Sequence, residues 1–455
     1  MLQIIKQITN SLPWWRAYAC TAAGVLLVAA AGALHAQPFD MPPSGQPERL
    51  LLDPGWKGPT AMAFDSKNRP YLINNRNRET FGLIETVRDG EWVTLSFRDA
   101  LADGLPDKLN AKGPGNMVID DDDALYAIVG RNTLLYSPDL GKTFQTYPLR
   151  GASLEVRTSP AQTVAIPAIQ VTTDYRSVDR RGEREPHMAW WSRRATLSVL
   201  LPTKNEKGLE LGEPILITEN CGARGGGSHF GGTSGSVTLG RKTHVVYAES
   251  PEDVRTGGNP IHIATIHRDS RTVMAREFLV NAPPKKSDVH TSPTITVDGN
   301  GYLHVLSGSH NQPFFYTRSL EPNDITAGWT KPVQLKGRQC YASLVCDADN
   351  RLHSAFREWI PHASLGYSHA SAPDWDWRGP KTLVHGANPK GVRDYGIFYH
   401  RLFIDRASNL YLGFTFFEFT TGKDGDYPEA LIVSQDGGAS WQLADRQTLA
   451  DPVAH

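Results

Sequence analysis

Two histidines twenty residues apart, His290 and His310, bracket the stretch SDVHTSPTITVDGNGYLHVLSGSH. A tyrosine and an arginine sixteen residues apart, Tyr341 and Arg357, bracket the next comparable stretch. Imidazole, with an ordinary pKa of about 6.5, gives and takes protons near neutral pH. A phenol can also exchange a proton, and a guanidinium offers a rigid fork of donors to an anion. These types together suit proton transfer beside an anionic group. One histidine near a strand end is more often a packing residue. Two histidines with a Tyr/Arg pair at mirrored positions make the pattern of a site.

The mirroring comes from strand arithmetic. In an antiparallel hairpin, residues equidistant from the turn face each other. The DGNG turn is centred near residue 300, ten residues from His290 and ten from His310. In CYASLVCDADNRLHSAFREW the turn is near Asp349, and Tyr341 and Arg357 are each eight residues away. Both pairs should therefore lie at the strand ends remote from the turns, on adjacent hairpins. His229, in GGGSHFGGTSG, and Tyr399, His400 and Arg401, in FYHRLFID, should reach the same rim as substrate contacts, with Asn311 and Trp359 beside them. His304 and His353 follow the turns and read as structural, as do His262 and His267 on an outer hairpin. The acidic run at 120–123 reads as a solvated turn.

The elements that must hold these residues repeat. Turn-then-strand segments begin at Asp65, Asp120, Asp179, Leu239, Asp298, Asp347 and Asp405, and strand-turn-strand segments interleave with them seven times. Two hairpins per unit, repeated seven times, describe an all-β, seven-bladed β-propeller of four-stranded antiparallel blades. Plentiful Gly (41) and Pro (31) suit so many turns. The segments SPDLGKTF (137–144) and SQDGGASW (434–441) are Asp-box turns, which point to a propeller and say little about chemistry.

A formal net charge of -1 argues against a nucleic-acid binder that works by bulk electrostatics. The start of the chain reads as an export signal. Lys6 and Arg16 precede the uncharged apolar run 17–34, and LHAQ offers a cleavage point after Ala36. Residues 1–36 are thus expected to be a signal peptide or an uncleaved anchor. Residues 37–455 are expected to form one propeller domain, monomeric and secreted or periplasmic. Cys340 and Cys346 are six residues apart on one expected strand, too far for a disulfide, and no zinc spacing occurs.

The stretch DVHTSPTITVDGNGYLHVLSGSHNQPFFYTRS resembles BNR-4 repeat proteins, in which a D-x-H-x-x-P strand leads to a G-x-H-x-x-P-x-x-Y-x-R-S segment. That group includes β-propeller polysaccharide lyases acting on ulvan and on rhamnose–glucuronic acid linkages, and the resemblance extends over residues 229–420. It implies that His290, His310, Tyr341 and Arg357 are catalytic and that the substrate is an anionic polysaccharide or oligosaccharide. Lyase chemistry must neutralise a uronate carboxylate, remove the C5 proton and protonate the departing O4. Arg357 suits the first task and a histidine the second. Tyr341 suits the third, or the second if Arg357 favours its ionised form. No cofactor or metal is required, although a structural calcium has room in such a fold. The alternative is a non-catalytic carbohydrate-binding propeller, with Trp190, Trp191 and Trp359 as stacking platforms. A sialidase is a weaker alternative, because the chain lacks an Arg-Ile-Pro motif.

Overall fold

Aspartate turns set the architecture. The Asp65, Asp120, Asp298 and Asp405 carboxylates each accept backbone N–H bonds from two and four residues further on, closing a tight turn between two strands. Asp347 takes the same bond from the Arg351 amide. The strands on either side are continuous apolar runs, such as Leu125–Val129, buried on both faces. On the rim the pattern becomes alternating. Along Thr272–Ala282, residues Thr272, Met274, Arg276 and Phe278 are exposed and their neighbours are more covered.

The computed structural model describes residues 39–40, 61–73, 81–101, 116–129, 132–149, 151–177, 193–222, 234–250, 258–283, 289–359, 364–385, 397–416, 429–444 and 446–450. Seven antiparallel sheets built on four-strand meanders form the seven blades of a β-propeller. Blades 1 to 7 occupy 61–96, 116–148, 152–221, 236–282, 294–334, 339–385 and 397–443. The expected signal segment, 1–36, lies outside the described residues. Among the described residues no helix is long and apolar enough to cross a membrane.

Blades 7 and 1 join through side chains. Met62, Phe64 and Leu72 of blade 1 share an apolar cluster with Tyr411, Leu431 and Val433 of blade 7. The short helix Arg446–Ala450 adds Leu449 to that cluster. Arg446 pairs with Glu85 at 2.6 Å, and its carbonyl accepts the Trp92 indole N–H at 3.2 Å.

The third repeat differs from expectation. Its inner hairpin is Ala152–Leu154 paired with Ile169–Ser177, so the turn does not fall at Asp179, which lies outside the described residues. Residues 155–168 replace the aspartate turn and reach across to other blades. The Thr158 carbonyl accepts the Cys346 amide of blade 6 (2.8 Å) and the Thr296 hydroxyl of blade 5 (3.0 Å). Val164 exchanges bonds with Asp121 of blade 2. Glu155, fully buried, takes the Thr238 amide and hydroxyl of blade 4, the Gln162 amide and its own blade's Ala168 N–H. Val156 and Arg157 line a cavity with Met62–Phe64 of blade 1, Met117–Ile119 of blade 2 and Leu402–Ile404 of blade 7. The segment is a hub on the side of the aspartate turns, bonded to blades 2, 4, 5 and 6 and sharing a cavity with blades 1 and 7. Innermost strands are sheet edges with unpaired backbone groups, and the hub supplies partners to them.

The two Asp boxes are structural, as expected. Ser137 and Ser434 donate to Asp139 and Asp436, and each serine oxygen accepts a glycine amide. His304 and His353 are structural too. Each is fully buried, gives one ring nitrogen to an aspartate (Asp298, 3.2 Å; Asp347, 3.0 Å) and takes a tyrosine hydroxyl on the other (Tyr316, 2.8 Å; Tyr367, 2.7 Å). His262 packs between Tyr247 and Phe278. The described cysteines form no disulfide, and Cys340 and Cys346 lie on two segments of one innermost strand.

Candidate active site

The strand ends remote from the aspartate turns carry the site. In blade 5 the inner hairpin runs in register from Val297↔Leu303 to Thr294↔Leu306. Beyond it the chains come very close. A Cβ at Gly308 would lie 2.6 Å from the His290 carbonyl oxygen, closer than any real Cβ contact, so only glycine lets the two segments meet. His290 sits in the one-turn 3-10 helix Val289–Thr291, and His310 opens the strand His310–Gln312. Their rings stack with centroids 4.0 Å apart and planes inclined by 23°.

The strand His310–Gln312 leaves blade 5 and pairs with Gln339–Cys340, the first inner segment of blade 6. Asn311 locks this crossing. It adopts a left-handed φ of 58°, which Asn tolerates better than most residues. Its amide donates to Cys340 Sγ (3.2 Å), the thiol donates back to Asn311 Oδ1 (2.8 Å), and Arg338 Nε donates to its carbonyl (3.0 Å). Asn311, expected to touch substrate, fastens two blades through its backbone and side-chain oxygen, and its side chain stays partly exposed. The Asn311–Cys340 fastening carried no sequence signal, since it depends on a contact between blades.

Blade 6 departs from simple strand arithmetic. Cys340, not Tyr341, faces Arg357, while further along Val345 faces His353. Four residues, 341–344, thus oppose three, 354–356. This is a β-bulge, and Tyr341 takes its strained position with φ 63°. The bulge turns the Tyr341 ring over Arg357. The guanidinium carbon lies 4.6 Å from the ring centroid, and Nη1 donates to the phenol oxygen at 3.2 Å. Trp359 is the second aromatic near this guanidinium, 5.9 Å from its ring. The Tyr341 ring is also 5.3 Å from that of His290. Arg357 is 0% exposed, Tyr341 2% and His290 5%, whereas His310 is half-buried.

Blade 7 closes the cluster from beneath. His400, expected to face substrate, is 0% exposed. Its Nε2 lies 3.0 Å from the Tyr341 carbonyl and 3.1 Å from the Ala355 carbonyl, so it carries the proton and donates to both. Burial, with the Arg357 and Arg401 charges adding to it, pulls its pKa down to about 3, so the ring is neutral at ordinary pH. Arg401 is also buried and faces Gly413 within blade 7. Tyr399 lies in the strand Ile397–Ile404, but its side chain, like all of His229, Trp190 and Trp191, lies outside the described residues.

The structure therefore brings together His290, His310, Tyr341, Arg357, Trp359 and His400 from three successive blades. None of these side chains is a carboxylate. Among the described residues, no group of three or more His, Cys, Asp or Glu is arranged to hold a metal ion.

Among curated proteins nothing matches the chain. Solved structures similar to it include an ulvan lyase of polysaccharide lyase family PL25 bound to an oligosaccharide. It is 13% identical over 51% of this chain and 60% of that one, with a TM-score of 0.37. The chain thus spans about 60% of that lyase's length. A Trypanosoma rangeli sialidase mutant is 14% identical over 70% of this chain and 53% of that one, with a TM-score of 0.38. An α-L-arabinanase from Penicillium chrysogenum is 12% identical over 70% and 92%, also at 0.38. Residues 236–455, which hold every described residue of the candidate site, match the BNR repeat-containing family.

Proposed function

We propose that the protein is a polysaccharide lyase that cleaves a uronic-acid-containing polysaccharide, of the ulvan or rhamnosyl-glucuronate kind, by β-elimination. One observation carries this reading: two stacked imidazoles, a phenol and a guanidinium pack into one cluster, and none of the described side chains that form it is a carboxylate. Most glycoside hydrolases work with a pair of carboxylates flanking the scissile bond. Elimination needs proton carriers and a cation instead. A base takes the C5 proton, the C5 electron pair forms a C4=C5 double bond, the C4–O4 bond breaks, and O4 leaves with a proton from an acid.

His310, the most exposed of the four, is the base in this reading, with His290 stacked behind it. Tyr341 protonates O4. Arg357 lies beneath the Tyr341 ring and hydrogen-bonds its oxygen, so its positive charge favours both an ionised phenol and an adjacent carboxylate. No cofactor enters the step. Export to the periplasm or medium belongs to the same reading. It is supported by the basic start and the apolar run 17–34, and it would place the enzyme where polysaccharide is found.

The test is to offer the purified protein a set of uronic-acid polysaccharides and follow the ultraviolet absorbance of the unsaturated product. Release of such product, lost in Tyr341→Phe, supports the reading. Binding without product, weakened in Arg357→Ala, transfers the site to a carbohydrate-binding propeller.

A further inference from the structure

Tyr341 is held at both ends. Its phenol oxygen meets Arg357 Nη1, and its carbonyl meets His400 Nε2. Between these two bonds the backbone is left-handed, a conformation that is costly for a non-glycine residue and persists only when its surroundings impose it. The bulge leaves the Tyr341 carbonyl outside the ladder between Cys340↔Arg357 and Val345↔His353. A buried carbonyl without a ladder bond needs another donor.

That donor comes from the neighbouring blade. The innermost strand of blade 7 also shifts register by one residue, between the pairs Phe398↔Thr415 and Arg401↔Gly413, and His400 lies in that irregular stretch. Two bulges on adjacent blades thus face each other across one imidazole. The same Nε2–H reaches the Ala355 carbonyl, which also accepts the Ser343 hydroxyl. His400 therefore ties both sides of the blade 6 bulge, residues 341–344 and 354–356, to blade 7. Its ring packs edge-on to Tyr341 at 6.1 Å, and the other ring nitrogen, Nδ1, is buried with no hydrogen bond among the described residues. A ring recruited only for packing would not require a nitrogen aimed at two carbonyls.

We infer that His400 is a positioning residue, which through its Nε2–H bonds to the Tyr341 and Ala355 carbonyls holds the blade 6 bulge so that the Tyr341 ring lies between Arg357 and His290. It touches no substrate and transfers no proton. The inference rests on the lyase reading only for its kinetic consequence, since the geometric role stands without it.

Two measurements decide it. The first needs no substitution. In full-length protein with 15N-labelled histidine, with the His400 signals assigned by their loss in His400→Gln, His400 should be the Nε2–H tautomer and stay neutral as pH is lowered through about 6.5, where free imidazole titrates. An Nδ1–H tautomer, or protonation near that pH, overturns the inference. The second compares two polar replacements. Gln places its amide nitrogen near the position of Nε2, and Asn stops about one bond short. His400→Gln should keep the cross-relaxation between the Tyr341 and His290 ring protons, and His400→Asn should lose it. On a cleaved polysaccharide, kcat should fall in the Asn variant by on the order of 10²-fold with KM little changed, and recover in Gln. Equal ring contacts in both variants overturn the inference. If wild-type protein cleaves no polysaccharide, the lyase reading fails, while the tautomer and the ring contact still decide the role of His400.

Discussion

Arg357 lies with its guanidinium carbon 4.6 Å from the centre of the Tyr341 ring and donates to the phenol oxygen of the same residue, although the two are not paired across the strands. The contact arises because a bulge displaces Tyr341 from the ladder. Guanidinium geometry matters here in two ways, as a planar face under the ring and as a directed donor to its oxygen. Lysine offers a point charge and neither of these features. Arg357→Lys should therefore fold and lose most turnover, and Tyr341→Phe, which removes only the hydroxyl, should lose about 10²–10⁴-fold in rate. Product formation by both variants at wild-type rate would place the chemistry elsewhere.

His310 offers a cleaner separation of chemistry from packing than His290. It is half-buried, whereas His290 is 5% exposed and contacts both His310 and Tyr341. His310→Ala is expected to keep the wild-type melting temperature within a few degrees while turnover drops about 10²–10⁴-fold. His290→Ala should lower both. Thermal melts beside initial rates show the difference.

Gly308 tests the close approach of the two histidine segments. A Cβ there meets the carbonyls of His290 and Ser292 and the backbone of Thr291, none of which can swing away as a side chain could. Gly308→Ala should separate the segments and destabilise the protein by about 1–3 kcal/mol, the usual cost of overpacking. Activity should fall further than stability. A denaturant midpoint unchanged from wild type would show that the segments can part without cost.

Glu155 tests the hub. Its carboxylate is fully buried and accepts bonds from Thr238, Gln162 and Ala168. Glu155→Ala leaves these buried neutral donors without their carboxylate and should cost several kcal/mol, at about 1–3 kcal/mol for each donor left unsatisfied. By contrast, Asp436→Ala removes bonds from an exposed Asp-box turn and should cost about 1 kcal/mol. Calorimetry of the two variants ranks them.

Acid should weaken the fold well before its carboxylates titrate. Burial lowers the pKa of His244 to about 4 and of His400 to about 3, and it also lowers those of His304 and His353. These rings fold neutral, so the unfolded chain binds more protons below about 6.5. Stability is then full above that pH and declines as pH falls towards 4 and below. Asp298 and Asp347 add to the same trend at lower pH. Burial opposes their ionisation, but bonds from His304, His353 and the turn amides outweigh it and hold both below the usual range. Urea midpoints measured from pH 7 to pH 4 should fall continuously. A flat profile down to pH 4.5 would show that the buried imidazoles do not control acid stability.

The sequence alone was enough to count the blades. Aspartate turns and alternating strands are local features, with a period set by backbone hydrogen bonding, and they recur wherever a hairpin must close. The pairing of His290 with His310 was legible for the same reason, because the DGNG hairpin is regular from its turn to Thr294↔Leu306. Local signals ended where the ladder was interrupted. The bulge at Tyr341 moved Arg357 opposite Cys340, and no turn residue marks it. The third turn was misplaced at Asp179 because the hub at 155–168 has no aspartate signature, and its polar groups are satisfied by residues of other blades. Asn311 and His400 read from the sequence as substrate contacts, and their roles as fasteners, one to Cys340 and one to the Tyr341 carbonyl, could not be read there. Hydrogen bonds within a hairpin follow from spacing along the chain. Bonds between blades depend on which strands the closed ring brings side by side, and only the tertiary structure decides that.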